Sequence, residues 1–299
     1  MESSGARLVL YPHKDPEFRI WPIADIHYGN VSCAKDFLAA DLDEIRRDPY
    51  SLWSLLGDYC DWIAPGDKRF DPECVDEALK VRDLARLGKL LTEKIVAMLE
   101  PIKARCIGAG YGNHETKYFR ANAQACIHET LCKALGVPSL RYSGWVDLWF
   151  ERRRDIPKPI VVMVTKPGSV GRPGQTRLRC FQHHGSGGAI TTGGKLNMAL
   201  RLAQMVLADL VMVGHVHEAL AKPLVRLETD PTGTFLQQHV CGVMITGSYL
   251  KTYREDVTGY GEERGYAPAT LGATRARYRP CAKELIIESK AQGVGLTVA

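Results

Sequence analysis

Five short runs of the 299-residue chain concentrate side chains that bind metal ions. They are Asp25-x-His27, Gly57-Asp58-x-x-Asp61, Gly112-Asn113-His114-Glu115, His183-His184-Gly185 and Gly214-His215-x-His217, and they hold six of the nine histidines. Carboxylates, an amide oxygen and imidazoles make a mixed oxygen and nitrogen donor set. Such a set suits Mn, Fe, Zn or Ni, whereas calcium takes a shell of oxygens. Singly, the runs say little. Asp-x-His is common, Gly-Asp is ordinarily a turn, and Gly-His-x-His also reads as a surface turn with solvated imidazoles. Their weight lies in the ordered set, because each follows directly on a predicted strand.

Strand C-termini in open α/β sheets converge on one edge, where loops gather ligands from distant parts of the chain. Arg19 to Ile26 reads as the strand carrying the first run, Leu52 to Leu56 as the second and Arg105 to Ala109 as the third. Leu178 to Gln182 and Leu210 to Val213 precede the histidine runs. A helix is predicted from Cys33 to Arg47 with Ser32 as its N-cap. Behind Asp71-Pro72, Leu84, Leu87, Leu91, Ile95 and Met98 share one helical face, which predicts a long amphipathic helix stopped by Pro101. Asn122 is expected to cap a helix ending near Gly136, and another is predicted from Lys195 to Leu207. Further strands are predicted at 145–151, 160–165, 220–227, 236–245 and 284–288. Early βαβ alternation followed by a strand-rich half predicts an α/β layered sandwich. One domain over 1–299 is expected, with 249–280 as a covering loop or lid.

The order Asp-x-His, Gly-Asp-x-x-Asp, Gly-Asn-His-Glu, His-His-Gly, Gly-His-x-His resembles the calcineurin-like metallophosphoesterases over residues 25–217. The resemblance implies a four-layer αββα sandwich with two divalent transition metal ions at one edge of paired sheets, Mn first, with Zn, Fe or Ni as alternatives. It implies that Asp25, His27 and His217 hold the first ion, that Asp58 bridges both, and that Asn113, His183 and His215 complete the second. His184 is the alternative to His183, which comes directly off the strand. His114 would protonate or stabilise the leaving oxygen, with Asp61 orienting its imidazole. The implied activity is that of a phosphodiesterase, in which a metal-bridging hydroxide attacks the phosphate ester, with a nucleic acid or nucleotide as the favoured substrate class. A phosphomonoesterase is the alternative. A catalytically retired scaffold is a further one, although retired members lose ligands or the third-motif histidine and all are present here.

Trp62-Ile63 follow Asp61, where serine/threonine protein phosphatases continue with Arg-Gly, which counts against a phosphoprotein substrate. The glycines between Gly185 and Gly194 could receive a phosphate at a helix N-terminus or form a plain connection. The tail mixes Tyr253, Tyr260, Tyr266 and Tyr278 with Arg254, Arg264, Arg275, Arg277 and Arg279. That texture is similar to calcineurin-like proteins of phage and prophage genomes. It could stack bases and pair phosphates, so nucleic acid is a possible partner, or it could pack over the sandwich. The net charge of +5 permits an anionic substrate without announcing nucleic acid. Nine cysteines without a Cys-x-x-Cys read as reduced core residues. The most apolar stretch, Met198 to Val213, is broken by Arg201, Gln204 and Asp209, so no membrane span and a cytoplasmic location are expected.

Overall fold

Three strands of the first half are apolar on both sides and need cover on two faces. In the computed structural model, which describes residues 2–122, 126–166, 168–230, 232–291 and 294–298, both faces are covered. The elements run β1 (Glu2–Tyr11), β2 (Phe18–Ile23), α1 (Lys35–Arg47), β3 (Ser51–Leu56), α2 (Val81–Leu84), α3 (Leu87–Leu99), β4 (Cys106–Gly110) and α4 (Asn113–Asn122). They continue with α5 (Cys126–Leu135), β5 (Ser139–Arg141), β6 (Ser143–Arg152), β7 (Ile160–Met163), β8 (Thr176–His183), α6 (Thr192–Met205) and β9 (Leu210–Val213). The chain closes with β10 (Leu220–Thr229), β11 (Leu236–Ile245), α7 (Tyr260–Glu263), β12 (Arg275–Arg279), β13 (Glu284–Ala291) and β14 (Val294–Val298). Two mixed sheets result, ordered β14-β13-β12-β2-β3-β4-β5 and β10-β11-β9-β8-β6-β1-β7.

Successive strand side chains point to opposite faces, and this alternation sorts the core into layers. Trp21, Ile23, Trp53 and Leu55 pack outward against Leu38 and Ile45 of α1, Leu91 and Ile95 of α3, and Leu131 of α5. Phe18, Ile20, Leu52 and Leu56 point inward and meet Val9, Leu148, Phe150, Leu178 and Met212 of the other sheet. That sheet turns Phe181, Val211, Val213 and Ile245 outward against Ala199 and Ala203 of α6. Helices, sheet, sheet, helix: this is the four-layer αββα sandwich. Each fully buried Leu, Ile or Phe contributes about 1.5–3 kcal/mol, so both sheets are committed to these faces. Strands β2, β3 and β4 run parallel, as do β8 and β9, so the five motifs leave their strands at C-terminal ends.

Several local expectations need correction. Ser32 is not the cap of α1: Cys33 bridges to Leu250 and Ala34 N–H donates to Tyr249 O, so helix begins only at Lys35. The helix behind Asp71 is not continuous. Asp71 does cap a single 3-10 turn, Pro72–Cys74, but the chain then pairs with residues 29–31 through Asp76 N–H to Gly29 O and Val31 N–H to Cys74 O. Helix resumes at Val81 and again at Leu87. Asn122 ends α4, its side chain donating to Tyr118 O, and α5 starts at Cys126 with 123–125 outside the described residues. Helix α6 starts at Thr192, with the Thr191 hydroxyl accepting from Gly194 N–H, so its N-terminus is capped from within the chain.

The segment 249–280 is only in part a covering loop. Residues 275–279 form β12, paired with both β2 and β13 inside the first sheet. Its arginines pair with carboxylates: Arg275 with Glu44 and Glu288, Arg277 with Glu17 and Glu288, Arg279 with Glu17 and Glu284. The eight described cysteines are free, and no described helix is long and apolar enough to cross a membrane.

Candidate metal centre

The chain leaves each motif strand through a tight turn, and the turns interlock. Asp25 N–H donates to Gly57 O and His27 N–H to Asp58 O, both at 3.0 Å. Gly57 has φ +108°, and a Cβ there would lie 2.4 Å from Gly112 N, so this crossing of two motif turns requires glycine. Asp25, His27, Asp58, His215 and His217 all have φ between +48° and +73°, the left-handed region that L-residues avoid. Each such residue costs roughly 1 kcal/mol or more. Five of the eight described non-glycine residues with positive φ therefore belong to the motifs, and backbone strain of this kind gathers at functional sites.

Glu115, fully buried, organises the turns from within. Its carboxylate accepts from Asp58 N–H (2.9 Å), Tyr59 N–H (2.9 Å) and Gly112 N–H (2.7 Å). Burial and the nearby Asp58 charge raise it to about 7. On the other sheet Gln182 does similar work: its Nε2 donates to Leu55 O at 3.1 Å and its Oε1 accepts from the Ser54 hydroxyl, pinning β8 to β3 beside the rim.

Among the described residues three groups of potential ligands meet at this rim, each with donor atoms within 4.8 Å of one another: Asp25, His27 and His217; Asp58, His184 and His215; and His27, Asp58 and His114. Asp25 Oδ1 lies 3.3 Å from His217 Nε2, and Asp25 Oδ2 accepts from His215 N–H at 2.7 Å, so one carboxylate touches the last motif twice. Asp58 Oδ2 is 3.2 Å from His184 Nε2, while its Oδ1 accepts from His114 N–H at 2.9 Å. Asn113 Oδ1 is 3.1 Å from the same His184 nitrogen. His27 is 3% exposed, yet neither ring nitrogen has a hydrogen-bond partner, and Asp25 Oδ1 is likewise buried without one. Leaving such groups unsatisfied costs about 1–3 kcal/mol each. Orphaned imidazole nitrogens and a carboxylate oxygen facing one another are the donor set a divalent transition metal takes, so the residues fit the implied ions.

His183 is in none of these groups; His184 is in one. The period of two explains it. Phe181 faces outward and Gln182 inward, so His183 shares the outer side, where its Nδ1 accepts from Gly185 N–H at 2.8 Å. His184 returns to the inner side, and its Nδ1 lies 3.0 Å from Leu56 O. Donation to that carbonyl places a proton on Nδ1 and directs Nε2 toward Asp58 and Asn113. Burial opposes protonation of His184, but the Asp58 carboxylate outweighs it and lifts the imidazole to about 9.

His114 shares the third group with His27 and Asp58, its ring edge-on to His27 with centroids 4.6 Å apart. Its Nδ1 is 3.1 Å from Asp61 Oδ1, within ion-pair range but without hydrogen-bond geometry. Asp61 Oδ2 accepts from Asn30 Nδ2 at 2.7 Å, which fixes the carboxylate. Burial would raise Asp61; the imidazoles of His114 and His27 overcome it and hold the carboxyl below its usual range. His114 Nε2 meets Arg69 Nη1 at 3.1 Å. Neither Asn30 nor Arg69 stands out in the sequence. Asn30 follows the first motif by three positions and could be weighed with it, whereas nothing local marks Arg69.

No family model matches the sequence, and no curated protein matches it. Among solved structures, the chain is similar to a conserved uncharacterized protein, a predicted phosphoesterase, from Streptococcus pneumoniae. That match has 12% identity, 95% of this chain and 98% of that one covered, and a TM-score of 0.34. A single-substitution variant of Vps29 from Entamoeba histolytica matches at 12% identity, covering 94% and 100%, with a TM-score of 0.39. The double-substitution variant of the same protein matches at 10% identity over 94% and 100%, also at 0.39. At such TM-scores these likenesses carry no argument about residues or activity. In its four layers, in the order of its five motifs and in their convergence on one rim, the chain resembles the calcineurin-like metallophosphoesterases.

Proposed function

We propose that the chain is a binuclear metal-dependent phosphodiesterase. The observation that carries this reading is the buried pair of unpartnered His27 nitrogens beside the unpartnered Asp25 Oδ1, at a rim where a second Asp/His group converges. Asp25, His27 and His217 would hold one ion, Asn113, His184 and His215 the other, and Asp58, which groups both with His27 and with His184 and His215, would serve both. Bound there, two divalent ions offset phosphoryl charge and lower the pKa of water toward neutrality.

The chain's own residues account for the rest. His114 delivers a proton from Nε2 to the leaving oxygen, while Asp61 holds the ring by its Nδ1 side and stabilises its charge. Asn30 keeps Asp61 from turning toward the rim. The Glu115 and Gln182 anchors hold the turns, so that binding meets a preformed arrangement. Because the β12 arginines are engaged by glutamates, we place small phosphodiesters and nucleotides ahead of polymeric nucleic acid as substrates. A phosphomonoester is the competing outcome.

Metal analysis with turnover of bis-nitrophenyl and mono-nitrophenyl phosphate tests this. Chelation should abolish activity and Mn²⁺ should restore it, with the diester turned over faster. Asp58→Asn should weaken binding of both ions. Two tightly held ions and full rate in that variant would remove Asp58 from its role; no hydrolysis of either ester by the metal-loaded protein would leave a scaffold.

A further inference from the structure

Arg69 sits eight residues after the second motif, in a loop that nothing in the motif set requires. The loop is nevertheless fixed. Asp67 N–H donates to Ala64 O and Phe70 N–H to Asp67 O; downstream, Asp71 caps the next turn, Asp76 pairs with Lys35, and the strap 29–31 bonds to residues 74 and 76. Asp67 holds the arginine three ways: Oδ1 accepts from Arg69 N–H at 2.9 Å and from Nε at 3.0 Å, and Oδ2 accepts from Nη2 at 2.7 Å. That grip occupies one edge of the guanidinium. The remaining Nη1 edge points at the rim and meets His114 Nε2 at 3.1 Å.

Arginine is a donor only, so in this arrangement its Nη1 rests on the one His114 nitrogen that faces away from Asp61. That nitrogen is the one the proposed reaction needs for the leaving oxygen. We infer that Arg69 is a phosphate-binding residue whose Nη1 shares a substrate phosphoryl or leaving oxygen with His114, which it covers in the free protein. The inference rests on the phosphoesterase reading. An anionic oxygen entering between the two groups accepts directly from Nη1, and charge-assisted bonds of this kind are the strong ones. Asp67 meanwhile keeps Nε and Nη2, so the guanidinium need only yield at its free edge. The chain has Trp62-Ile63 after Asp61, and the cation beside His114 comes from this loop.

The test measures binding of inorganic phosphate to the Mn²⁺-loaded protein by calorimetry, with metal content and melting temperature determined for each variant. Arg69→Ala and Arg69→Gln should each weaken phosphate binding about 10- to 100-fold, the range of a lost charge-assisted contact. Both ions should remain bound, and melting should change little. Arg69→Lys should retain part of the affinity, because it keeps the charge but loses the planar fork that fits Asp67. Asp67→Asn should lose less than Arg69→Ala. Wild-type affinity in Arg69→Ala and Arg69→Gln with two ions bound would overturn the inference, and so would a loss of affinity explained by lost metal. If the unmodified protein took up no metal, the phosphoesterase reading itself would fall and this inference with it.

Discussion

Gly112 offers the sharpest perturbation of the rim. It precedes Asn113 at the start of α4, and its φ lies outside the left-handed region, so alanine strains no backbone there. The obstacle is space. A Cβ at Gly112 would lie 2.2 Å from Asp58 Oδ1 and 2.5 Å from both Cε1 and Nε2 of His184. Since 3.0 Å is the closest a real Cβ comes, Asp58 must retreat by 0.8 Å (3.0 less 2.2) and His184 by 0.5 Å (3.0 less 2.5), or α4 must move outward. Metal–ligand distances tolerate only about ±0.2 Å. Gly112→Ala therefore disturbs Asp58, proposed to serve both ions, and His184, proposed for the second, while leaving Asp25, His27 and His217 in place. Overpacking of this size costs about 1–3 kcal/mol, so the protein should stay folded with a lowered melting temperature. Affinity at the Asp58/His184/His215 group should fall about 10- to 100-fold, as when the support of a ligand is altered. Elemental analysis after dialysis against a metal buffer should find fewer ions per chain than the unmodified protein keeps, with turnover falling in parallel. Gly112→Ala retaining two ions at unchanged affinity and rate would refute the crowding argument, and with it the placement of Asp58 and His184 at one ion.

His114→Ala should lower kcat by about 10²–10⁴-fold while metal content stays intact. The deficit should shrink on a nitrophenyl ester, whose leaving group needs little protonation; an equal deficit on alkyl and nitrophenyl esters would argue against proton delivery from Nε2. Glu115→Gln should destabilise the protein by about 1–3 kcal/mol, because a carboxylate that accepts from three backbone N–H groups becomes an amide with one accepting oxygen; unchanged melting would show that the turns hold without it. Replacing Arg275, Arg277 and Arg279 together by Gln should lower the melting temperature through their lost glutamate pairs, with turnover of a small chromogenic diester unchanged. A selective loss of oligonucleotide binding at constant stability would return the tail to the substrate.

Much of the architecture is legible because it is written locally. Strand alternation and apolar runs show where β2, β3, β4, β8 and β9 lie, and the polar residues at their ends mark one rim by type and position alone. Runs buried on both faces, such as Leu52 to Leu56, demand cover on each side, which is the physical root of the layering. Helix boundaries are less legible, because backbone groups at Cys33, Ala34 and Asp76 are taken by partners far along the chain or across a turn. Which of His183 and His184 faces Asp58 depends on the side Gln182 takes between the sheets, where Ser54 and Leu55, more than a hundred residues away, bond its amide. Residues 275–279 read as an irregular tail because their basic, aromatic texture hides a strand; only pairing with β2, some 250 residues earlier, makes it one. Arg69 has no sequence signal at all, since its meeting with His114 spans 45 positions and depends on how a loop folds back over the rim. Residue types and their order along the chain announce the chemistry, since ligand identity and strand periodicity are short-range properties. Which atoms face one another across the rim is a long-range property, and only the packed sheets decide it.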